Sequence, residues 1–400
     1  MFKNFQDILI RNFDNSFPLI ATGNRCYSNK SNNWITNGIK ILCKRKRESY
    51  LLQRNSNNPQ VIKFYNKYCS ILKKSNHRSK KMQIRHQIHH SNNIMKTTWN
   101  IIKDPTGSSH PYNPITKMNT DTGSTAVPDE IGKAFNDFFI HVVENSDSKH
   151  VDINKSKESL TKINNGEYTE MKVIPITENE VINIILTLKT KKLSGYDGIS
   201  NMILKYFAKI ISKPFSHICN FSLTNGIFSD RCKYALVLPV YKKGERTNRS
   251  NYRPISLLLS LSKVLEIMMF NRLNQHLNSN RIIVSEQYGF RRGKSIDKAI
   301  YLLTNTILSS LNKKQVIAGL FCDLSKAFDS VNHSVLLQKL YYYGVRDTYR
   351  SWFKSYLTNR QQKVIITING GNHSSNWETA TSGVPPGLST GTPAIYDLHK

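Results

Sequence analysis

Phe321-Cys322-Asp323-Leu324-Ser325-Lys326-Ala327-Phe328-Asp329 is the stretch that decides the fold. It continues an apolar run at 316–320, and an amphipathic helix is predicted to begin a few residues after it. The pattern predicts a β-strand that ends in Asp323 and then turns into a helix. A carboxylate held rigidly at a strand end offers the hard oxygen ligands that suit Mg²⁺. From the residues alone, Asp323 could instead cap the segment that follows it.

The chain is strongly basic. Its 400 residues contain 57 Lys and Arg against 27 Asp and Glu, a net charge of +30. Residues 1–110 carry 20 basic and 4 acidic side chains, so this quarter alone has a net charge of +16. A field of this size favours a polyanionic partner, because phosphates release counterions when they bind. A solvated basic surface without a partner is the alternative.

The cysteines and the apolar runs indicate the cellular compartment of the protein. Six cysteines form no Cys-x-x-Cys pair, and the start of the chain does not resemble a secretory leader. This usage favours a reducing compartment and argues against a disulfide framework. No apolar run approaches the ~20 residues that a membrane span needs. We therefore expect an intracellular protein, nuclear or cytoplasmic, that is not secreted and has no membrane partner.

Composition and periodicity divide the chain into four regions. Residues 1–33 are rich in Asn and Ser, and we expect them to be poorly ordered. Residues 34–125 form a basic helical linker region, in which apolar residues recur at three- and four-residue steps over most of its length. Residues 126–315 and 316–400 form two further regions. Their predicted elements are a helix from 128, a capping box at 177–180, a strand at 235–240, helices at 262–277, 297–311, 330–343 and 347–357, and strands at 316–320 and 363–368.

Five blocks resemble, in this order, those of a non-LTR retrotransposon (LINE- or jockey-type) reverse transcriptase: 192–198, 239–258, 286–295, 320–340 and 383–391. They cover roughly half of the chain. The resemblance implies an α/β (α+β) right-hand polymerase fold. Its helical fingers and an N-terminal extension would lie in 126–315, and an incomplete antiparallel palm, with the 316–320 strand at its centre, in 316–400. The stretches 34–99 and 128–139 are similar to the basic linker that joins such a polymerase to its upstream endonuclease.

The resemblance also implies RNA-directed DNA polymerase activity, in which two metal ions assist the addition of deoxynucleotides to a primer 3′-hydroxyl. Asp323 would be the catalytic carboxylate, and Asp323 and the carbonyl of Leu324 would hold Mg²⁺ (or Mn²⁺). Phe328 matches the position that screens out a ribose 2′-hydroxyl, although the residue by itself equally suits an ordinary core aromatic. The implied partners are an RNA template, a DNA primer and deoxynucleoside triphosphates, with an upstream endonuclease domain in the full-length element.

Basic residues of the blocks are predicted to contact phosphates. Lys242 and Arg253 resemble the fingers residues that grip the incoming triphosphate, since Arg supplies a bidentate fork and Lys a point charge. Lys243 could replace Lys242, and the sequence does not choose between them. Gly387 is the further nucleotide-binding residue. The predicted nucleic-acid contacts are Lys191, Lys192, Gly195, Arg291 and Arg292, where the glycine would let the backbone approach a strand closely. Asp329 and His333 are interpreted as structural, through helix-start electrostatics and a local hydrogen bond.

The chain departs from the family pattern in two places. It ends at Lys400, before the Tyr-Ala-Asp-Asp hairpin that supplies the remaining metal carboxylates of the family. Pro386 and Leu388 stand where the family carries Gln and Ser, and proline removes a hydrogen-bond donor. We therefore expect a truncated chain that is inactive alone. The alternatives are a basic nucleic-acid-binding remnant without catalysis, a group II intron maturase-like or telomerase-like polymerase, and a non-functional product.

Overall fold

The computed structural model describes residues 1–18, 34–56, 58–91, 93–103, 115–120, 123–141, 168–190, 193–289, 291, 293–322, 329, 331–368, 371–381 and 383–384. The chain forms two compact units. One comprises residues 19–113, and the other comprises residues 1–18 together with 114–400. None of the helices in the described ranges combines the length and the apolar character that crossing a membrane requires.

The helices in chain order are α1 (Phe2–Ser16), α2 (Asn37–Arg54), α3 (Pro59–His89), α4 (Ile94–Lys103), α5 (Pro128–Ile140), α6 (Glu178–Thr187), α7 (Asn201–Tyr206), α8 (Ala208–Asn225), α9 (Ser260–Ser279), α10 (Ile296–Asn312), α11 (His333–Tyr342) and α12 (Asp347–Leu357). The strands are β1 (Met118–Thr120), β2 (Gly123–Thr125), β3 (Tyr234–Tyr241), β4 (Tyr252–Leu257), β5 (Arg360–Ile368), β6 (Gly371–Ser374) and β7 (Glu378–Ala380).

The smaller unit is helical, as the spacing of its apolar residues predicts. Helix α2 begins at a Thr36 cap, whose hydroxyl accepts from the amide of Ile39, and α3 begins with proline at its first position. The two helices run antiparallel, because the Tyr68 hydroxyl donates to the carbonyl of Leu42 and the Ser79 hydroxyl donates to that of Trp34. The unit therefore presents Lys and Arg side chains from both helices of a hairpin.

A mixed sheet organises the larger unit. Its strand order is β4-β3-β5-β6, and β7 also pairs with β5. The β3–β4 pair is antiparallel, whereas β3 and β5 are parallel, with Leu236 opposite Lys363. The antiparallel sheet was expected within 316–400, where β5 pairs antiparallel with β6 and with β7, whereas the parallel pair joins β5 to a strand of region 126–315. Two strands separated by more than a hundred residues can pair in parallel because the intervening helices provide the long crossover connection that parallel strands need.

Helix α5 covers one face of this sheet, which we call the α5 face. Alternation along the strands directs one set of side chains towards the helix, and Phe135 meets the Tyr252 ring edge-on at 4.9 Å between centroids. The small core on this face comprises Met118, Ile131, Phe135, Val237, Tyr252, Val364, Ile366 and Ile368. The opposite face, called here the open face, carries the alternate residues of each strand. Val240 and Ile255 on it remain 43% and 42% exposed.

The main core lies among α6, α8, α9, α11 and α12. Trp352 and Tyr356 stack at 5.6 Å between ring centroids, and Phe228 packs edge-on against both rings. Arg272 on α9 forms a bidentate ion pair with Glu180 on α6, with N–O distances of 2.9 and 3.1 Å. At the predicted capping box the Thr177 hydroxyl accepts from the Glu180 amide at 3.2 Å, which is the first bond of the box, while the Glu180 carboxylate binds Arg272.

The N-terminal segment corrects one expectation. Residues 2–16 form helix α1 rather than a poorly ordered stretch, and the rings of Phe2 and Phe5 lie 6.4 and 5.8 Å from that of Phe215. Asp7 forms a bidentate pair with Arg231, with one N–O distance of 2.5 Å. The average composition of residues 1–33 does not indicate this helix. Apolar residues at three- and four-residue spacing occupy only the first half of that range, and the second half is rich in Asn and Ser.

The apolar run at 316–320 is the second correction. It forms no strand, and Val316 and Leu320 are 100% and 90% exposed. A strand is stable only when a neighbour satisfies its amide and carbonyl groups, and none of the strands in the described ranges pairs with this run. An apolar run therefore did not suffice to place a strand at the centre of a sheet.

Candidate nucleotide and nucleic-acid site

The β3–β4 hairpin brings Lys242 and Arg253 to the same side. Val240 pairs with Arg253, and the amide of Lys242 extends the ladder by donating to the carbonyl of Asn251 at 2.8 Å. Because side chains alternate along a strand, Lys242 shares a face with Val240 and Arg253, and this is the open face. Lys243 lies in the turn. The geometry thus pairs Arg253 with Lys242, a choice that the sequence left open.

The turn of this hairpin is held by its own contacts. Gly244 has φ +88°, and a Cβ atom there would lie 2.6 Å from the Asn251 side chain. That side chain donates to the carbonyl of Glu245 at 2.8 Å. The Arg246 guanidinium lies over the Tyr241 ring, 4.6 Å from its centroid. These contacts fix the backbone beside Lys242, so less conformational freedom is lost when a phosphate binds.

The block around Asp323 is described only at its margins. Asp323, Leu324 and Phe328 lie outside the described residues, as do Lys191, Lys192, Arg292 and Gly387. Within the described residues no three side chains of His, Cys, Asp or Glu come together as a metal site. A metal site in this region would therefore need residues outside the described ranges, among them Asp323.

Downstream of this block, Asp329 and His333 line a cavity of about 60 Å³ together with Arg360 and Gly383. The His333 Nε2 atom donates to the carbonyl of Gly383 at 2.7 Å, which ties the start of α11 to the start of the glycine-proline loop. Burial lowers the pKa of His333, so its ring favours the neutral form. This contact agrees with a structural role for His333, although its partner is fifty residues away rather than local.

A buried carboxyl group, that of Glu266, lies near Arg360, which lines this cavity. Glu266 on α9 is 4% exposed and accepts from the Ser262 hydroxyl at 3.2 Å. Burial raises its pKa to about 7, against the opposing effect of the Arg360 guanidinium. Arg360 is also 4% exposed, and its guanidinium lies over the Tyr356 ring at 4.8 Å. One carboxylate oxygen of Glu266 has no hydrogen-bond partner in the structure.

The structure gives a packing reason for glycine at position 195, whereas the sequence predicted a close approach to nucleic acid. A Cβ atom there would lie 2.9 Å from the amide nitrogen of Leu259, so the protein's own backbone occupies the space. The next residue, Tyr196, donates its hydroxyl to the carbonyl of Arg231 at 3.1 Å. Close packing of this loop on the segment before α9 explains the glycine without a nucleic-acid strand. A contact between Gly195 and nucleic acid remains a prediction.

Arg291 lies in the exposed loop before α10. Its guanidinium donates to the carbonyl of Val284 at 2.8 Å, within the same loop. Two basic residues that sequence reasoning did not select are Lys363, on the open face, and Arg246, at the hairpin turn. Alternation along the predicted strand at 363–368 would have shown which residues share a face with Lys363. It would not have shown whether that face is covered or open.

The chain matches known proteins over the region that contains most of the blocks named above. Residues 240–399 match the family described as reverse transcriptase (RNA-dependent DNA polymerase). This range includes the hairpin with Lys242 and Arg253 and extends through the glycine-proline loop. The chain therefore carries a reverse transcriptase domain.

Similar proteins from Drosophila indicate which kind of reverse transcriptase this region resembles. The chain is 32% identical over 249 residues to the probable RNA-directed DNA polymerase from transposon BS of Drosophila melanogaster, covering 60% of this chain and 26% of that protein. It is 30% identical to the RNA-directed DNA polymerase from mobile element jockey of the same species, covering 56% and 24%. The matched region is thus similar to the polymerases of jockey-like, non-LTR mobile elements. The chain spans about a quarter of the length of these two relatives.

Proposed function

We propose that this chain provides the fingers and the first part of the palm of an RNA-directed DNA polymerase, which binds an RNA template, a DNA primer and deoxynucleoside triphosphates. The observation that carries the proposal is the shared face of Lys242 and Arg253 on a hairpin with a fixed turn. A fork and a point charge on one face suit the oxygens of a triphosphate. The family match over the same hairpin supports this assignment.

The remaining roles follow from the resemblance. Asp323 is proposed as the catalytic and metal-binding carboxylate, with the carbonyl of Leu324 beside it, and reverse transcriptases generally use a divalent metal ion. That ion, Mg²⁺ in our proposal, would activate the primer hydroxyl and neutralise charge on the triphosphate. Phe328 would crowd a ribose 2′-hydroxyl, and Gly387 would lie near the nucleotide.

The architecture and partners are proposed in the same way. Residues 126–315 would form the fingers with an N-terminal extension, 316–400 part of the palm, and 34–125 a basic linker that contacts nucleic acid. An endonuclease domain upstream of the linker and a nuclear or cytoplasmic location complete the proposal. The net charge of +30 supports a nucleic-acid partner, because each phosphate contact gains free energy from released counterions.

Binding and extension are tested separately. A fluorescent DNA primer annealed to an RNA template is titrated with the purified chain, and a complementary dNTP is added with Mg²⁺. We expect the dNTP to stabilise the complex, and Lys242→Gln and Arg253→Gln each to weaken that effect roughly tenfold, the loss of one charge-assisted contact. Lys133→Gln, on the outer surface of α5, is the matched control.

The outcomes are distinct. Extension that Asp323→Asn abolishes would establish catalysis by this chain. A dNTP effect that depends on Lys242 and Arg253, without extension, would support the nucleotide-binding role and leave catalysis to a longer protein. Primer-template binding with no dNTP effect in any condition would overturn the proposal in favour of a nucleic-acid-binding protein.

A further inference from the structure

An aromatic cluster lies beside the open face of the sheet. Trp377 meets the ring of Tyr234 edge-on, with 4.9 Å between centroids, and lies 6.5 Å from the ring of Tyr196. Tyr196 and Tyr234 are also edge-on, at 5.7 Å. Trp377 retains 36% of its surface exposed although its neighbours hold it in place. A fixed, partly exposed indole is a suitable platform for a nucleic-acid base, because every base presents a π-face.

A cation accompanies this indole. The Nζ atom of Lys363 lies 5.0 Å from the centroid of the Trp377 ring. The β3–β5 register sets Lys363 opposite Leu236, so its side chain leaves the sheet on the open face. A stacking surface and an ammonium group thus lie together, which is the combination that single-stranded nucleic-acid sites use.

The charge of the open face fits a polyanion. Lys242 and Arg253 lie on this face at the far end of the β3–β4 hairpin. The five strands of the sheet contain one carboxylate, Glu378, and its pairing with Gln362 sets it on the α5 face. Asp197, in the adjoining loop, accepts from the amide of Ile199 at 3.1 Å and is thus turned into the protein. Phosphate charge therefore meets lysine and arginine on this face with no carboxylate from the strands.

The spacing also fits a stacked single strand of several nucleotides. Leu236, opposite Lys363, is six residues from Lys242, which corresponds to about 20 Å along β3 at ~3.3 Å per residue. The phosphates of one stacked strand follow each other at ~3.4 Å along its axis, so several nucleotides span this distance. The exposed apolar side chains of Val240 and Ile255 lie on the same face between the two ends.

We propose that Trp377 stacks on a base of an unpaired nucleic-acid strand, that Lys363 contacts its phosphates, and that the strand crosses the open face towards Lys242 and Arg253. On the proposed polymerase function, this strand is the single-stranded template ahead of the primer terminus. Trp377 and Lys363 act here by positioning the strand, and neither takes part in chemistry.

The experiment uses the full chain and an oligonucleotide that carries 5-iodouridine at successive positions. Ultraviolet irradiation joins iodouridine to an aromatic ring that it stacks on, and peptide mass spectrometry locates the joined residue. We expect Trp377 to be among the joined residues, and the joined product at that peptide to disappear in Trp377→Ala and to persist in Trp377→Phe. This readout separates the open face from the basic helices of residues 37–103, which also bind nucleic acid in our proposal.

Affinity provides the second readout. Titration of a labelled 15-nucleotide RNA should show roughly tenfold weaker binding for Trp377→Ala, as expected for the loss of one stacked base. Lys363→Gln should lower the slope of log affinity against log salt by about 0.7. Tyr206→Ala, an exposed aromatic change on α7, and Lys133→Gln, behind α5, are the matched controls and should bind as the parent does. The same oligonucleotide made as DNA distinguishes an RNA template from any unpaired strand.

Two results would overturn the inference. One is joining at Trp34 or Trp99 only; the other is parental affinity in a folded Trp377→Ala chain, with folding checked by circular dichroism. Neither readout needs a dNTP or extension, so failure of the polymerase proposal is recognised separately. A chain with Trp377-dependent strand binding and no dNTP effect would keep this inference and reject the polymerase proposal. A dNTP effect without any role for Trp377 would do the reverse.

Discussion

Replacing Glu266 by glutamine would remove a buried negative charge while keeping the shape of the side chain. The neighbours of Glu266 are Ser262, Tyr356 and Arg360, and Arg360 is one of the residues that line the cavity with Asp329 and His333. Desolvation favours its protonated form and raises its pKa from 4.5 to about 7. The guanidinium of Arg360 acts in the opposite direction but does not cancel the effect of burial.

The sign follows from proton binding. Between pH 4.5 and about 7 the folded chain holds a proton on Glu266 that the unfolded chain has lost, so stability falls as pH rises through this window. A shift of about 2.5 pKa units at 1.36 kcal/mol per unit gives a loss of about 3 kcal/mol. Above pH 7 the loss is complete. The raised pKa of Asp197 contributes in the same direction, but equally in both proteins, so it cancels in their difference.

The assay is guanidinium denaturation at pH 4.5, 6 and 8, followed by tryptophan fluorescence. We expect Glu266→Gln to match the parent at pH 4.5 and to be about 3 kcal/mol more stable at pH 8. Ile210→Ala, an exposed change on α8 that removes no titratable group, is the control, and its difference from the parent should not depend on pH. A stability difference between Glu266→Gln and the parent that stays constant from pH 4.5 to 8 would refute the reasoning, because it would mean that Glu266 titrates as it does in the unfolded chain.

Three further predictions concern single contacts. Lys242→Gln should weaken dNTP binding roughly tenfold and Lys243→Gln less than twofold, as measured by titration. The reason is that only Lys242 shares a face with Arg253, so equal effects would contradict the hairpin register. Arg272→Met should lower the free energy of unfolding by about 3 kcal/mol, since the carbonyls of Ile174 and Pro175 and the half-buried carboxylate of Glu180 all lose their donor, and denaturation at pH 7 measures this loss. Gly195→Ala should cost about 1–3 kcal/mol through its contact with the backbone; an unchanged unfolding midpoint would argue against that contact.

Local signals in the sequence located most of the elements. The capping box at 177–180 and the proline at 128 mark helices that begin where predicted, at Glu178 and Pro128. The apolar run at 235–240 predicts β3, and the run at 363–368 predicts most of β5. These features depend on residues within one or two turns, which is why they can be read without a structure.

The candidate site was predicted in part. The order of the blocks identified the type of domain. The structure sets the backbone of Lys242 and Arg253 on one side of the hairpin, and their role in nucleotide binding stays a prediction. Sequence reasoning did not separate Lys242 from Lys243, because that choice depends on the register with Asn251 on β4. It also did not select Lys363 and Trp377, which come together only through the return of β5 and the turn that follows it.

The sequence alone determined the chain's basic charge, its helical and extended segments, and the class of domain that its ordered blocks resemble. Tertiary structure decided which strands pair, which face of the sheet stays open, and why Gly195 has no side chain. It also gave 316–320 no partner strand and packed α1 against Phe215. The physical reason is distance along the chain. Pairing of β3 with β5 and packing of α1 depend on contacts between residues more than a hundred positions apart, and no local pattern encodes which of these contacts form.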